Sequence, residues 1–527
     1  MNSRMLLRGG LVADGIGATV RRADVLIEGP AIAGVGNLDL SPGESAVIDL
    51  APGSVVCPGF IDAHVHAEGP LLAEGRVAGA LAQGVTTLVV GQDGESWIGA
   101  STATARYLNR YFAPVNGALE PVRDFGVGDF RDAVAGRLAQ NVAVLASQGT
   151  IRYNVAGMTP GPLADAERAE ARRQVEDALA EGAVGLSSGL DYLPSRFGGM
   201  EETAEIARPL ADADRPYVSH LRGYGPDVRA GLDELVAVGA GAGARVHASH
   251  LWGEPADIEA ALTAADAAGV PVSYDMYSYR RSSTILGQLL LPPEAQAGGP
   301  EHTLAVLIDP GQRAALLAGA KLTEGYLRNV YLGTVPGDMT GLAGLSVAEA
   351  AAREGRPPGE WVLDLLVAAD LNLGGHLDRL PITDAHLAWI AAHDRHCAGS
   401  DGIYQGQHPH PRGYGAFARL AGQYLGSGPE TGYQQLARHL AASAADAYGL
   451  RNRGRIAAGM AADLCVVGAA GLTAHASYDR PRELATGADY VFVNGVIVWP
   501  DPHATGRRPG QVVSQPPAPT GNVRLRY

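Results

Sequence analysis

The sequence predicts an α/β protein: a (β/α)8, TIM-like barrel with a small β-sandwich formed from both termini and an insertion over the barrel mouth. Three observations lead there. Short apolar runs broken by Gly and Pro turns occupy both ends of the chain, buried strands alternate with Ala-rich helices through several hundred residues between them, and polar residues gather at strand C-termini. At 527 residues the chain exceeds one ordinary core. The expected division is 1–57 and 451–527 as the two parts of the sandwich, and 58–450 as the barrel with its insertion at about 286–345.

Taken in order, residues 5–7, 24–28 and 46–49 read as short antiparallel strands, and the same texture returns at 462–467 and 490–498. Two β-rich ends around a long middle imply that the termini meet. Within the middle, 84–90 reads as a strand and 164–181, rich in Ala, Glu and Arg, as a helix. Strands follow at 182–188, 216–220, 244–250 and 270–275, separated by helical stretches such as 227–239 and 255–268. The segment from 286 to about 345, rich in Leu, Gly and Pro, disturbs the alternation; it reads equally as a cover for the barrel mouth and as a helical excursion with no catalytic role. Helical periodicity resumes at 347–354 and 361–369. A Pro-rich tail around 515–519 reads as a surface extension.

Hydrophobic residues make up 46% of the chain and charged ones 18%, a globular balance. The net charge of −15 argues against nucleic acid as a partner, because a phosphate backbone wants a basic face. Cys57, Cys397 and Cys465 form no CxxC pair and read as small buried residues in a reducing compartment. No segment approaches the ~18 consecutive apolar residues of a membrane span. A cytoplasmic protein, with neither membrane nor nucleic acid as a partner, is expected; its oligomeric state is left open.

The run Val55-Val56-Cys57-Pro58-Gly59-Phe60-Ile61-Asp62-Ala63-His64-Val65-His66 sets two histidines at alternate positions after an apolar segment. On a strand such residues point to one side, which suits two ligands of one divalent metal. An isolated HxH is at least as often a strand whose histidines merely alternate. Later strand ends supply more candidates: Asp93, His220, His250 and Asp401. Each alone has a bland explanation, Asp beside Gly as turn chemistry and a lone His as a structural hydrogen-bonder. Together at one end of successive strands they have none, since burying them unpaired would be costly.

With these motifs the chain resembles the amidohydrolase superfamily and, within it, the N-acyl-D-amino-acid deacylase (D-aminoacylase) family. The resemblance covers nearly the whole length. It rests on PGFIDAHVH (58–66), GVTTLVVGQDG (84–94), GLSSGLDYLP (185–194), SHLR (219–222), SHL (249–251), DMYSY (275–279) with Ser283-Thr284, and GSDG (399–402) with His410-Pro411-Arg412. It implies a divalent metal cofactor, zinc first, as one or two ions: His64 and His66 would hold one position with Asp401, and His220 and His250 the second. Where the family commonly has a bridging cysteine this sequence has Asp93, a harder ligand that still suits a divalent ion. A carboxylated-lysine bridge, used elsewhere in the superfamily, is closed off, because Lys321 is the only lysine and falls in the insertion. The family's carboxylate-binding set maps onto Tyr277, Ser283 and Arg412. Its usual lysine two residues after the fifth-strand histidine is Trp252 here. The pair Arg280-Arg281 could replace that charge or lie on the surface.

The resemblance implies hydrolysis of a linear amide in a small-molecule N-acyl-D-amino acid or related N-acyl compound, with Asp401 as general base and then general acid. Chirality is implied by the resemblance alone. Two rivals are a hydrolase of a cyclic or specialised amide, which Trp252 favours, and a catalytically inactive barrel acting as a binding protein. Gly185-Leu186-Ser187-Ser188-Gly189 only loosely matches a nucleophile elbow and reads better as the close of a strand.

Overall fold

The computed structural model describes residues 4–38, 46–378, 382–422, 432–500 and 506–514; the Pro-rich stretch at 515–519 lies outside them. Eight parallel strands follow one another in chain order. β1 (Phe60–Asp62), β2 (Val85–Val90), β3 (Asn141–Val144, continued by Ala146–Ser147), β4 (Leu186–Gly189), β5 (Tyr217–His220), β6 (Val246–Ala248), β7 (Val272–Met276) and β8 (His396–Ala398) each pair with the next. The run then returns to its start. The Ala63 amide donates to the Ala398 carbonyl at 3.0 Å, and Val65–His66 pairs in parallel with Gly402–Ile403.

The strands form where the sequence is apolar on both faces. β2, VTTLVV, is buried at every residue, as a parallel strand covered on both sides must be. Helices cover the outside. Asp165–Glu181 begins where the Glu167 carboxylate accepts the Ala164 amide at 2.7 Å, turns Ala171 and Val175 inward one turn apart, and stops at Gly182 with φ 114°. Val228–Ala242 follows β5 with Leu232 and Leu235 buried, and Pro255–Ala267 follows β6 with Ile258 and Leu262 buried.

Between β7 and β8 the chain leaves this layer. Arg281–Ile285, Gly374–Asp378 and Val330–Thr334 make a three-stranded antiparallel sheet, and helices including Gly299–Ile308, Val347–Arg353 and Pro358–Ala368 pack with it around a separate apolar cluster running from Leu286 to Leu373. The helical periodicity at 347–354 and 361–369, placed beyond the insertion by sequence texture, therefore belongs to the inserted layer. An amphipathic helix looks the same whichever core it faces, so periodicity could not assign it.

The chain ends meet. Val55–Pro58 pairs antiparallel with Leu464–Val467 inside a six-stranded sheet that also holds Ala488–Val493 and Val496–Trp499. A four-stranded sheet of Ala31–Gly36, Asp24–Glu28, Arg4–Arg8 and Ala46–Asp49 shares an apolar cluster with it, in which Val25, Ile27, Val56, Leu464 and Phe492 are buried together.

Candidate metal centre

All six candidate ligands stand at the C-terminal ends of the parallel strands. His64 and His66 follow β1, Asp93 sits in the turn Gln92–Gly94 after β2, His220 ends β5, His250 lies two residues past β6, and Asp401 three past β8. Asp93 (φ 56°), His250 (φ 35°) and Asp401 (φ 49°) are left-handed, a region non-glycine residues rarely occupy and one that concentrates at functional sites.

Their side chains converge. Asp93 Oδ1 lies 3.6 Å from His64 Nε2 and 3.7 Å from His250 Nε2, and its Oδ2 lies 3.5 Å from His66 Nε2 and 3.9 Å from His220 Nδ1. Asp401 Oδ1 lies 3.7 Å from His64 Nε2 and 3.5 Å from His66 Nε2. Two ligand triads follow, His64/Asp93/His250 and His64/His66/Asp401, each with its donor atoms within 4.8 Å of one another.

The donors are poised for a cation. His64 is wholly buried with no hydrogen bond to its Nε2, and Asp93 Oδ1 is likewise buried without a hydrogen-bond partner. Such groups are costly to bury unless something charged satisfies them. His220 Nδ1 and His250 Nε2 face each other at 3.1 Å, which sets two lone pairs against one another unless a proton or a cation lies between them. His66 Nδ1–H donates to Asn116 Oδ1 at 2.9 Å, which fixes the tautomer that leaves Nε2 a free lone pair on the carboxylate side. The set of four imidazoles and two carboxylates is a zinc-type donor set.

The electrostatics agree. Burial alone would raise the Asp93 carboxyl, but the imidazoles around it, His64 first and then His250 and His66, outweigh burial and hold Asp93 well below the usual range. Asp401 is likewise lowered against its burial, chiefly by Arg412. Burial pushes His220 down to about 3, so it is a neutral donor at physiological pH.

A cavity of about 520 Å³ opens onto the cluster, touching His66, Asp93, His220, His250 and Asp401. Tyr277, Ser283 and Trp252 line it, as does Lys321, which reaches it from the inserted layer. Phe112, Val115, Leu289 and Ile403 give it apolar walls. Arg412 is placed differently from the other substrate-binding candidates. It is fully buried behind the cavity, with Nη1 2.8 Å from Asp401 Oδ2, Nη2 donating to the Ser283 carbonyl at 3.2 Å, and its guanidinium 4.7 Å from the Tyr277 ring centre. Of the arginine pair, Arg280 is exposed and Arg281 stacks between Tyr331 and Tyr478.

Sequence reading missed the groups behind the ligands. Asn116 sits in a short helix, Ala113–Asn116, where no periodicity marks it. Asp275 and Ser273 had a usable signal, because alternate residues of β7 share one face, but it was not read.

Comparison with known proteins places these features in context. Residues 337–499 match a family model described as "Amidohydrolase family". The chain is 32% identical to the N-acyl-D-glutamate deacylase of Alcaligenes xylosoxydans xylosoxydans over 97% of this chain and 96% of that protein. It superposes with TM-score 0.80 on an N-acyl-D-glutamate deacylase from Bordetella bronchiseptica solved with zinc and a phosphonate mimic of the tetrahedral intermediate, at 28% identity, covering 98% and 100% of the two chains. It superposes equally, with TM-score 0.80 and 29% identity over 97% and 99%, on a D-aminoacylase studied for its binuclear metal centre.

Proposed function

Because this chain belongs to the amidohydrolase superfamily and, within it, to the N-acyl-D-amino-acid deacylases, we propose that it is a metal-dependent deacylase. It hydrolyses the linear amide of a small N-acyl-D-amino acid to a carboxylate and a free amine. The observation that carries this reading is the approach of Asp93 to all four histidines, within 3.5–3.9 Å, at the floor of the cavity. We read the closed run of β1–β8 as the (β/α)8 barrel, the paired terminal sheets as the sandwich, and the layer between β7 and β8 as the insertion over the mouth. Among the described residues no helix is long and apolar enough to cross a membrane.

His64, His66 and Asp401 would hold one divalent ion, zinc in the first instance, and His220 and His250 a second, with Asp93 between the two sets. An ion bound there would supply Lewis-acid polarisation of a carbonyl and lower the pKa of water from ~15.7 toward ~7. Everything else falls to the chain. Asp401 Oδ1, on the histidine side, takes the proton of the attacking water and delivers it to the departing amine nitrogen. Arg412 on Oδ2 keeps Asp401 ionised before the reaction and fixes the direction of Oδ1. Tyr277 and Ser283 present hydroxyls along the cavity wall to orient the substrate carboxylate, and Trp252 and Phe112 exclude water from the apolar parts of the ligand.

The direct test is turnover by the purified protein of N-acetyl-D-amino acids, their L-forms, hydantoin and dihydroorotate. Cleavage of the D-forms alone is expected. Cleavage of the cyclic compounds with no action on any N-acyl-D-amino acid would overturn the proposal.

A further inference from the structure

Behind the converging ligands lies a set of polar side chains with no part in the chemistry above: His247 on β6, and Ser273 and Asp275 on β7. We propose that Asp275 is a positioning residue that fixes two of the imidazoles at once, His64 through its side chain and His250 through its backbone, with His247 and Ser273 holding Asp275 in turn. The inference rests on the metal reading of the site and deepens it.

Asp275 is fully buried, so its oxygens must be satisfied by protein. Oδ1 accepts the His250 amide at 3.0 Å, Oδ2 accepts His247 Nε2–H at 3.0 Å, and the same Oδ2 faces His64 Nδ1 at 3.5 Å. An ionised carboxylate only accepts, so His247 carries a proton on Nε2. The Ser273 hydroxyl lies 2.8 Å from His247 Nδ1 and can donate to that nitrogen. A carboxylate facing His64 Nδ1 favours the Nδ1–H tautomer, and that tautomer turns the Nε2 lone pair toward Asp93 and Asp401. Asn116 does the same for His66. Because His64 belongs to both ligand triads, its orientation controls both.

The backbone contact matters separately. His250 sits at φ 35°, and the bond from its amide to Asp275 holds that conformation. The fold makes room for the carboxylate. A Cβ on Gly399 of the following loop would stand 2.6 Å from Asp275 Oδ1, so only glycine fits beside it. Partners that orient metal-binding histidines change affinity by roughly 10- to 100-fold when removed.

The experiment compares zinc affinity, by competition with a chromogenic chelator, and the visible spectrum of the cobalt-substituted protein, in wild type, Asp275→Asn and His247→Leu. Asparagine keeps an oxygen for the His250 amide but turns an amide N–H toward His64. Zinc affinity is expected to fall roughly 10- to 100-fold in Asp275→Asn, with an altered cobalt spectrum and a lowered kcat at unchanged KM. A smaller loss in the same direction is expected in His247→Leu, which carries the test if Asp275→Asn does not fold. Wild-type affinity and an unshifted cobalt spectrum in the folded variants would overturn the inference while leaving the metal reading intact. A wild-type protein that takes up neither zinc nor cobalt would sink the metal reading, and this inference with it.

Discussion

Arg412 Nη1 lies 2.8 Å from Asp401 Oδ2, and both side chains are buried, the arginine completely. A guanidinium thus holds one oxygen of the carboxylate whose other oxygen, Oδ1, faces the histidines. Removing one partner of such a pair strands a buried charge, which costs about 3–5 kcal/mol. Arg412→Met is therefore expected to lose stability of that order in urea unfolding of the metal-free protein, and to raise the Asp401 carboxyl toward the ordinary range.

Asp401→Asn keeps the shape but cannot accept a proton. A positioned general acid–base contributes ~10²–10⁴-fold, so kcat is expected to fall by at least that much while circular dichroism stays as in the wild type. A variant turning over at near-normal rate would refute the assignment.

Asp93 contacts every imidazole of the cluster, so its substitutions separate ligation from folding. Asp93→Ala is expected to retain less metal after dialysis against chelator. Asp93→Cys offers a softer ligand and is expected to hold zinc against the same chelator more strongly than Asp93→Ala. Equal metal retention in wild type and Asp93→Ala would remove Asp93 from the ligand set.

The inserted layer carries a pH dependence of its own. Burial pushes His376 from its ordinary 6.5 down to about 3, with Arg412 and His408 adding to the shift. A histidine kept neutral in the folded state costs nothing above pH 6.5, where both states are neutral. Below it the unfolded chain takes up a proton that the folded one refuses, so stability falls as pH drops from 6.5 toward 3, by about 1.4 kcal/mol per unit. His376→Leu is expected to flatten the urea-measured loss between pH 6.5 and 5 by about that slope.

The convergence was legible in the sequence because each candidate falls at the end of an apolar run, and that position alone brings His64, His66, Asp93, His220, His250 and Asp401 to one side of the parallel sheet. The terminal sheets were legible for a similar reason, through Gly and Pro punctuation. What lay beyond reach depends on long-range packing. The resemblance mapped Arg412 onto a carboxylate-binding set; its contact with Asp401, 11 positions before it across a loop, is set by how the start of helix Arg412–Leu420 packs. Asn116 acts on His66, 50 positions away in the chain, and no local pattern encodes such a pairing. The extent of the inserted layer was hidden because the partner strand of Arg281–Ile285 is Gly374–Asp378, almost a hundred residues on.

The most direct measurement is metal content by elemental analysis of the purified protein, followed by deacylation of an N-acetyl-D-amino acid before chelation, after it, and after zinc is restored. One or two divalent ions per chain, loss of activity on removal and recovery on re-addition are predicted. A protein that contains no bound metal, or that deacylates at full rate after metal is stripped, would contradict a catalytic cation held among Asp93, Asp401 and the four histidines.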